Sequence, residues 1–305
     1  MCGAGGLAPR KASGWETLNK IATTAEPVKE APELRSAGQT EASVPTWSKS
    51  EARPFVRSET RHGWLSRLRS YFVLAPLIWV YTIVLGTVSL VCSLFDRGGR
   101  IQHNLARFWS WLIMKTILSP VKVTGNLAAI GADKPRVYAV THASALDIPV
   151  LYVYLPFQFR IIFKSELLSY PFVGWHLKRS GQVCINQQNP SLSIGAIKSA
   201  LRSLRSGTPL VIFPEGGRTP NGELQPFLPG TFFLAIKAQA DIVPIALAGT
   251  FDLLPMNTYH IKCQPLEMRV GEAISTAGLT MQDTDKVLAR VRAAIEALHS
   301  APKTE

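Results

Sequence analysis

Between Tyr71 and Phe95 the chain runs 25 residues without a charged side chain. A helix of that length crosses the ~30 Å hydrocarbon core of a bilayer with room to tilt. Whatever else this chain folds into, it has to accommodate a segment that prefers lipid. Arg53, Arg57, Arg61, Arg67 and Arg69 lead into it, and Tyr71, Trp79 and Tyr81 are rings suited to a membrane interface. Pro76 is expected to kink it. A shorter apolar stretch, Phe108–Leu118, follows and carries Lys115 inside it. At 11 residues it is too short to span, and Trp109 and Trp111 suit a re-entrant or interfacial helix. The arginines before Tyr71 point to a cytoplasmic N-terminus. One full span would put the remainder on the far side, whereas a hairpin dipping into one leaflet would keep both ends, and an active site, in the cytoplasm. Arg97, Arg100 and Arg107 blur the charge asymmetry, so both topologies stand.

Residues 1–60 are rich in Ala, Glu, Ser, Thr, Pro and Lys and read as a disordered extension. Their start lacks the order of a signal peptide, and Glu16, Glu26, Glu30 and Glu33 speak against a transit peptide. The net charge of +12 calls for an anionic partner. No helix-turn-helix, RRM or finger signature accompanies it, so nucleic acid is excluded in favour of membrane lipid. Cys2, Cys92, Cys184 and Cys263 are scattered, and the six histidines show no metal-binding spacing, so no metal site is expected.

From Val121 the texture changes. Val121–Thr124, Val137–Thr141, Phe159–Phe163, Val183–Ile185, Leu210–Phe213, Ile242–Ala248 and Met268–Val270 read as strands. Ser191–Ser206 and Asp285–Ser300 read as amphipathic helices, the first with Lys198, Arg202 and Arg205 on its polar face. The alternation predicts an α/β fold, a mixed sheet flanked by helices and preceded by the membrane-inserting helical segment. The expected divisions are 1–60 for the extension, 61–120 for anchoring helices, 121–275 for the α/β domain and 276–305 for a final helix and tail.

His142 and Asp147 stand five residues apart at the end of the Val137–Val140 run. A carboxylate on one imidazole nitrogen fixes the tautomer and frees the other nitrogen to take a proton. That is a general base with its orienting partner and no nucleophile of its own, so the nucleophile can be a substrate hydroxyl. Ser144 lies within the motif but has no G-x-S-x-G elbow around it and is not cast as a nucleophile. Downstream, Phe213-Pro214-Glu215-Gly216-Gly217-Arg218-Thr219 follows a strand directly. Two glycines let the backbone approach a ligand, their N–H groups can form an anion nest, and Arg218 can grip phosphate oxygens. Glu215 can accept from an acceptor hydroxyl or hold Arg218.

Together, His142-x4-Asp147 and Phe213-Pro214-Glu215-Gly216-x-Arg218 resemble the glycerolipid acyltransferase family, which includes the 1-acylglycerol-3-phosphate acyltransferases. Lys164-Ser165-Glu166-Leu167, Pro171-Phe172-Val173-Gly174-Trp175 and Val243-Pro244-Ile245-Ala246-Leu247 resemble further family blocks in the same order. The resemblance implies a membrane-bound O-acyltransferase that moves a fatty acyl group from a thioester to the hydroxyl of 1-acylglycerol-3-phosphate, giving phosphatidate. His142 would be the base and Asp147 its orienter. Glu215, Gly216, Gly217 and Arg218 would line the acceptor's phosphate site, Lys164 would add positive charge, and Pro244 would shape the pocket floor. It implies no cofactor, only acyl-CoA or acyl-carrier protein as donor. The chain departs from the family pattern at Gly217 and Thr219, mildly. It departs more seriously at Asn186-Gln187-Gln188 and Leu228-Pro229, where the family commonly has a cation. That favours a less anionic lyso-lipid acceptor as an alternative. A non-catalytic lipid-binding membrane protein is the alternative outside enzymes, and the His142/Asp147 pair argues against it.

Overall fold

In a computed structural model, residues 63–96, 98–131, 133–134, 136–186 and 194–302 are described. The expected extension over residues 1–60 and the pair Gln187-Gln188 lie outside them. The apolar segment forms a helix, α1, over Gly63–Cys92, 30 residues long. By length and composition it is the one helix among the described residues able to cross a membrane. Pro76 lacks an N–H, and its ring would press on the carbonyl of Phe72. The helix accommodates this by widening: Ser70–Leu74 is a π turn in which the Ala75 N–H donates to the Ser70 carbonyl.

One stripe of α1 faces the protein, with Leu74 and Ile78 packed on the core among polar or small residues. Ser70 is fully buried and donates to the Ile261 carbonyl at 2.9 Å. Ser66 pairs with His260 Nε2 at 3.0 Å, and Ser89 with His176 Nδ1 at 2.7 Å. Gly86 passes so close to Phe172 that a Cβ there would stand 2.8 Å from the Phe172 Cβ. The other faces carry exposed apolar groups, with Trp64 66% and Phe72 75% exposed.

The second apolar stretch belongs to a longer helix than expected, α2, Arg100–Ile117. Its first half is charged and polar outside, which hid it from a reading based on continuous apolar runs. Its buried positions, among them His103, Ala106, Ser110, Ile113 and Ile117, recur every three or four residues. Trp109 reaches back to α1, donating from Nε1 to Thr82 Oγ1 at 3.0 Å. Trp111 stays partly exposed and stacks on Phe108.

Seven strands follow, all at the expected places: β1 Val121–Gly125, β2 Arg136–Val140, β3 Arg160–Lys164, β4 Val183–Ile185, β5 Leu210–Ile212, β6 Asp241–Ala248 and β7 Leu266–Val270. They form one sheet in the order β1-β7-β6-β2-β5-β3-β4. Only β6 and β7 run antiparallel, so the sheet is mixed as expected. The intervening helices are α3 Asp147–Tyr154, α4 Val173–Arg179, α5 Ile194–Arg205, α6 Phe233–Ala238, α7 Thr250–Leu253 and α8 Thr284–Ser300.

Side chains alternate across the sheet. Tyr138 and Val140 pack with α2 and α3, while Val137 and Ala139 pack with α5, α6 and α8. Val287, Val291 and Ile295 of α8 are fully buried in that second core. Arg269 of β7 is buried and pairs with Glu267 at 2.7 Å. It also donates to the carbonyls of Leu298 and Ala301 at 2.7 Å, closing the C-terminus of α8.

Two histidines lie where the helices meet the domain. Burial pushes the imidazoles of His103 and His176 down to about 4, so both are neutral at pH 7. Below pH ~6.5 the unfolded chain takes up protons that the folded one refuses, and stability falls until the pH reaches the folded values. Thermal melts should therefore show a lower Tm at pH 5 than at pH 7.5, and His176→Gln should reduce the difference without abolishing it, since His103 remains.

Candidate active site

β2, β5 and β3 are parallel neighbours in the middle of the sheet, with Val137 opposite Leu210 and Arg160 opposite Leu210. Their carboxyl ends therefore open on one edge, where α/β sheets present ligand sites. His142 follows β2, Phe213–Arg218 follows β5, and Lys164 ends β3.

Asp147 is the first residue of α3 and is fully buried. A negative charge is favoured at that end of a helix. Its Oδ2 accepts from His142 Nδ1 and from the backbone N–H groups of Ala143 and Ser144, each at 2.8 Å. The turn between strand and helix thus wraps on the carboxylate, which orients the ring. His142 Nε2 has no partner among the described residues. The Ser144 hydroxyl donates to the Leu254 carbonyl at 2.8 Å and is fully buried. It ties the turn to the segment after α7 and is unavailable as a nucleophile.

Three contacts from the segment after β5 hold His142. Glu215 Oε1 accepts from the His142 backbone N–H at 2.8 Å. The Thr219 N–H donates to the His142 carbonyl at 2.9 Å. The Phe213 ring stacks on the imidazole, centroids 4.0 Å apart and planes 22° apart. The second oxygen of Glu215 accepts from the Gln225 N–H at 2.9 Å. Both carboxylate oxygens are therefore engaged by main chain, which makes Glu215 a strut between two loops. Burial pushes its carboxyl above the ordinary range, and the Gln225 and His142 N–H groups pull it back. Phe213 was expected only as the end of a strand and the start of the motif, with no role at the base, and Gln225 carried no expectation. Gln225 lies ten residues beyond Glu215 and belongs to no motif.

The cations gather at the same edge. Gly216 has φ +68°, the left-handed region a glycine tolerates, and its N–H closes a turn on the Phe213 carbonyl. A Cβ on Gly217 would stand 3.5 Å from Lys164 Nζ. Lys164 therefore overhangs the Gly-Gly turn that leads into Arg218. Neither cation makes a salt bridge among the described residues. Asn186 follows β4, the strand paired with β3. Leu228 is exposed and donates from its backbone to the Pro214 carbonyl. Pro244 sits within β6 opposite Ala139, its carbonyl accepting from the Gly271 N–H.

Comparison with known proteins bears on this edge. A family model described as Acyltransferase matches residues 120–248, from the start of β1 to the end of β6. The 1-acyl-sn-glycerol-3-phosphate acyltransferase of Saccharomyces cerevisiae is 30% identical over 210 residues, covering 67% of this chain and 68% of the yeast protein. The human beta form is 28% identical over 79% of this chain and 84% of its own length. A chloroplastic relative from Arabidopsis thaliana is 31% identical over 64% of this chain. The chain spans about half the length of the chloroplastic relatives it matches, 56% in that case and 48% in Brassica napus. The crystal structure of the 1-acyl-sn-glycerophosphate acyltransferase from Thermotoga maritima shares the fold. Its TM-score is 0.60 at 21% identity, over 80% of this chain and 98% of that one.

Proposed function

Because this chain belongs to the glycerolipid acyltransferase family that includes the 1-acylglycerol-3-phosphate acyltransferases, we propose that it acylates the free hydroxyl of 1-acylglycerol-3-phosphate to give phosphatidate. The observation that carries this reading is His142, held at Nδ1 by Asp147 with Nε2 unpartnered, on the edge that also bears Lys164 and Arg218.

Nε2 takes the proton of the acceptor hydroxyl as the oxygen attacks the thioester carbonyl. The tetrahedral intermediate collapses, the carbon–sulfur bond breaks, and the imidazolium returns its proton to the leaving thiolate. The substrate hydroxyl is the nucleophile, so no acyl-enzyme forms and no cofactor takes part. The donor is acyl-CoA or acyl-carrier protein. Lys164, Arg218 and the Gly216–Gly217 turn bind the acceptor phosphate.

The protein works at a membrane. Ser66, Ser70 and Ser89 fasten α1 to the domain near both its ends, while its outer faces stay apolar. A helix bound along the domain in this way favours insertion into one leaflet, with the active site facing the cytoplasm, over a full crossing.

Arg218→Ala tests the phosphate site. Loss of a charge-assisted contact should raise the KM for 1-acylglycerol-3-phosphate about ten- to a hundredfold and leave kcat nearly unchanged. Asn186 and Leu228 favour a second reading, a less anionic lyso-lipid acceptor, because two cations rather than four meet the headgroup. Competition between lysophosphatidate and zwitterionic or neutral lyso-lipids separates the two. A large preference for lysophosphatidate sinks the second.

A further inference from the structure

Phe213 lies flat on His142, with ring centroids 4.0 Å apart and planes 22° apart. It is also fixed from behind. It follows β5 directly, its carbonyl accepts from the Gly216 N–H at 3.0 Å, and its ring packs on the core cluster beneath α2 and α3. Asp147 takes one edge of the imidazole and Phe213 takes one face, so both ring contacts are pre-set before substrate arrives. We infer that Phe213 is a positioning and charge-stabilising residue for the general base, its π face holding the imidazolium that forms as the hydroxyl proton transfers.

The face of a phenyl ring is negative and attracts a cation lying over it. His142 is neutral before proton abstraction and cationic after it. The attraction therefore grows along the reaction coordinate, and an interaction stronger in the transition state raises kcat without tightening substrate binding. Asp147 supplies full charge along one edge, and Phe213 adds to it from a direction the carboxylate cannot reach. A leucine would fill similar space without the π face.

The inference rests on His142 acting as the base, so His142→Ala is run alongside. Phe213→Leu should lower the single-turnover rate roughly three- to thirtyfold while both KM values stay within about twofold. Phe213→Tyr should keep most of the rate. Replacing Phe213 with tri- and pentafluorophenylalanine preserves ring shape while weakening and then reversing the charge of its face. The rate should fall stepwise, and this series answers the question even if the leucine variant fails to fold. A flat fluorinated series overturns the inference. So does a leucine variant that raises KM and keeps its rate, which would make Phe213 a pocket wall. An active His142→Ala would remove the general-base reading itself, an outcome distinct from either.

Discussion

His142→Ala should lower kcat by about two to four orders of magnitude and leave lipid binding intact. The side chain is 16% exposed, pinned at Nδ1 and stacked on one face, so its removal takes away the proton acceptor without disturbing the Glu215 and Thr219 contacts to its backbone. Membranes carrying the variant, given labelled palmitoyl-CoA and lysophosphatidate, should form no phosphatidate above background. Asp147→Asn should fall short of that loss in kcat, because the amide oxygen can still accept from the ring and the turn. What it loses is the charge that balances the imidazolium. Wild-type turnover in His142→Ala would mean that His142 is not the base, whereas lipid binding without turnover in the unaltered protein would leave a lipid-binding protein with an idle histidine.

Arg269→Ala should give the largest loss of stability. Arg269 and Glu267 are both buried, with side chains 5% and 8% exposed. Removing Arg269 takes a charged donor from buried Glu267, which keeps the Thr124 hydroxyl at 3.0 Å, and the lost charge-assisted contact costs about 1.5–3 kcal/mol. The same substitution uncaps the carbonyls of Leu298 and Ala301, so α8 frays from the core. At this size the loss corresponds to a fall in Tm of roughly 5 °C. Replacing both members with apolar residues of similar volume should recover most of it, since the desolvation cost leaves with the charges. A Tm within a degree or so of wild type for Arg269→Ala would mean that the remaining contacts of Glu267 and α8 make good the loss of the guanidinium.

The strands were legible because parallel strands buried on both faces read as continuous apolar runs. Val137–Val140, fully buried in β2, is such a run. The short helices were not. α3 reads Asp-Ile-Pro-Val-Leu-Tyr-Val-Tyr, a composition suited to a strand, with Pro149 tolerated only because it falls in the first turn. Packing overrides propensity there. At the site, the His142–Asp147 pair was legible because both partners lie within one turn of chain. Glu215 was visible as a motif residue, but its job as a strut was not. Its partners are backbone N–H groups 73 and 10 residues away, and a main-chain donor has no sequence signature. Lys164 and the Gly-Gly turn meet only because β3 and β5 are adjacent, a matter of strand order.

The serines along α1 have a practical consequence for handling the protein. Lipid tails and detergent tails compete equally well for an aliphatic seam, but neither offers a hydrogen bond to replace the carbonyl of Ile261 or the imidazole of His176. Solubilisation should therefore exchange the amphiphile on the outer faces of the helix and leave the helix seated. Trimming the chain to begin at β1 would not yield a soluble catalyst. It would expose a strip of unmet donors and acceptors beside the apolar wall formerly under α2, a surface more prone to aggregate than the one removed.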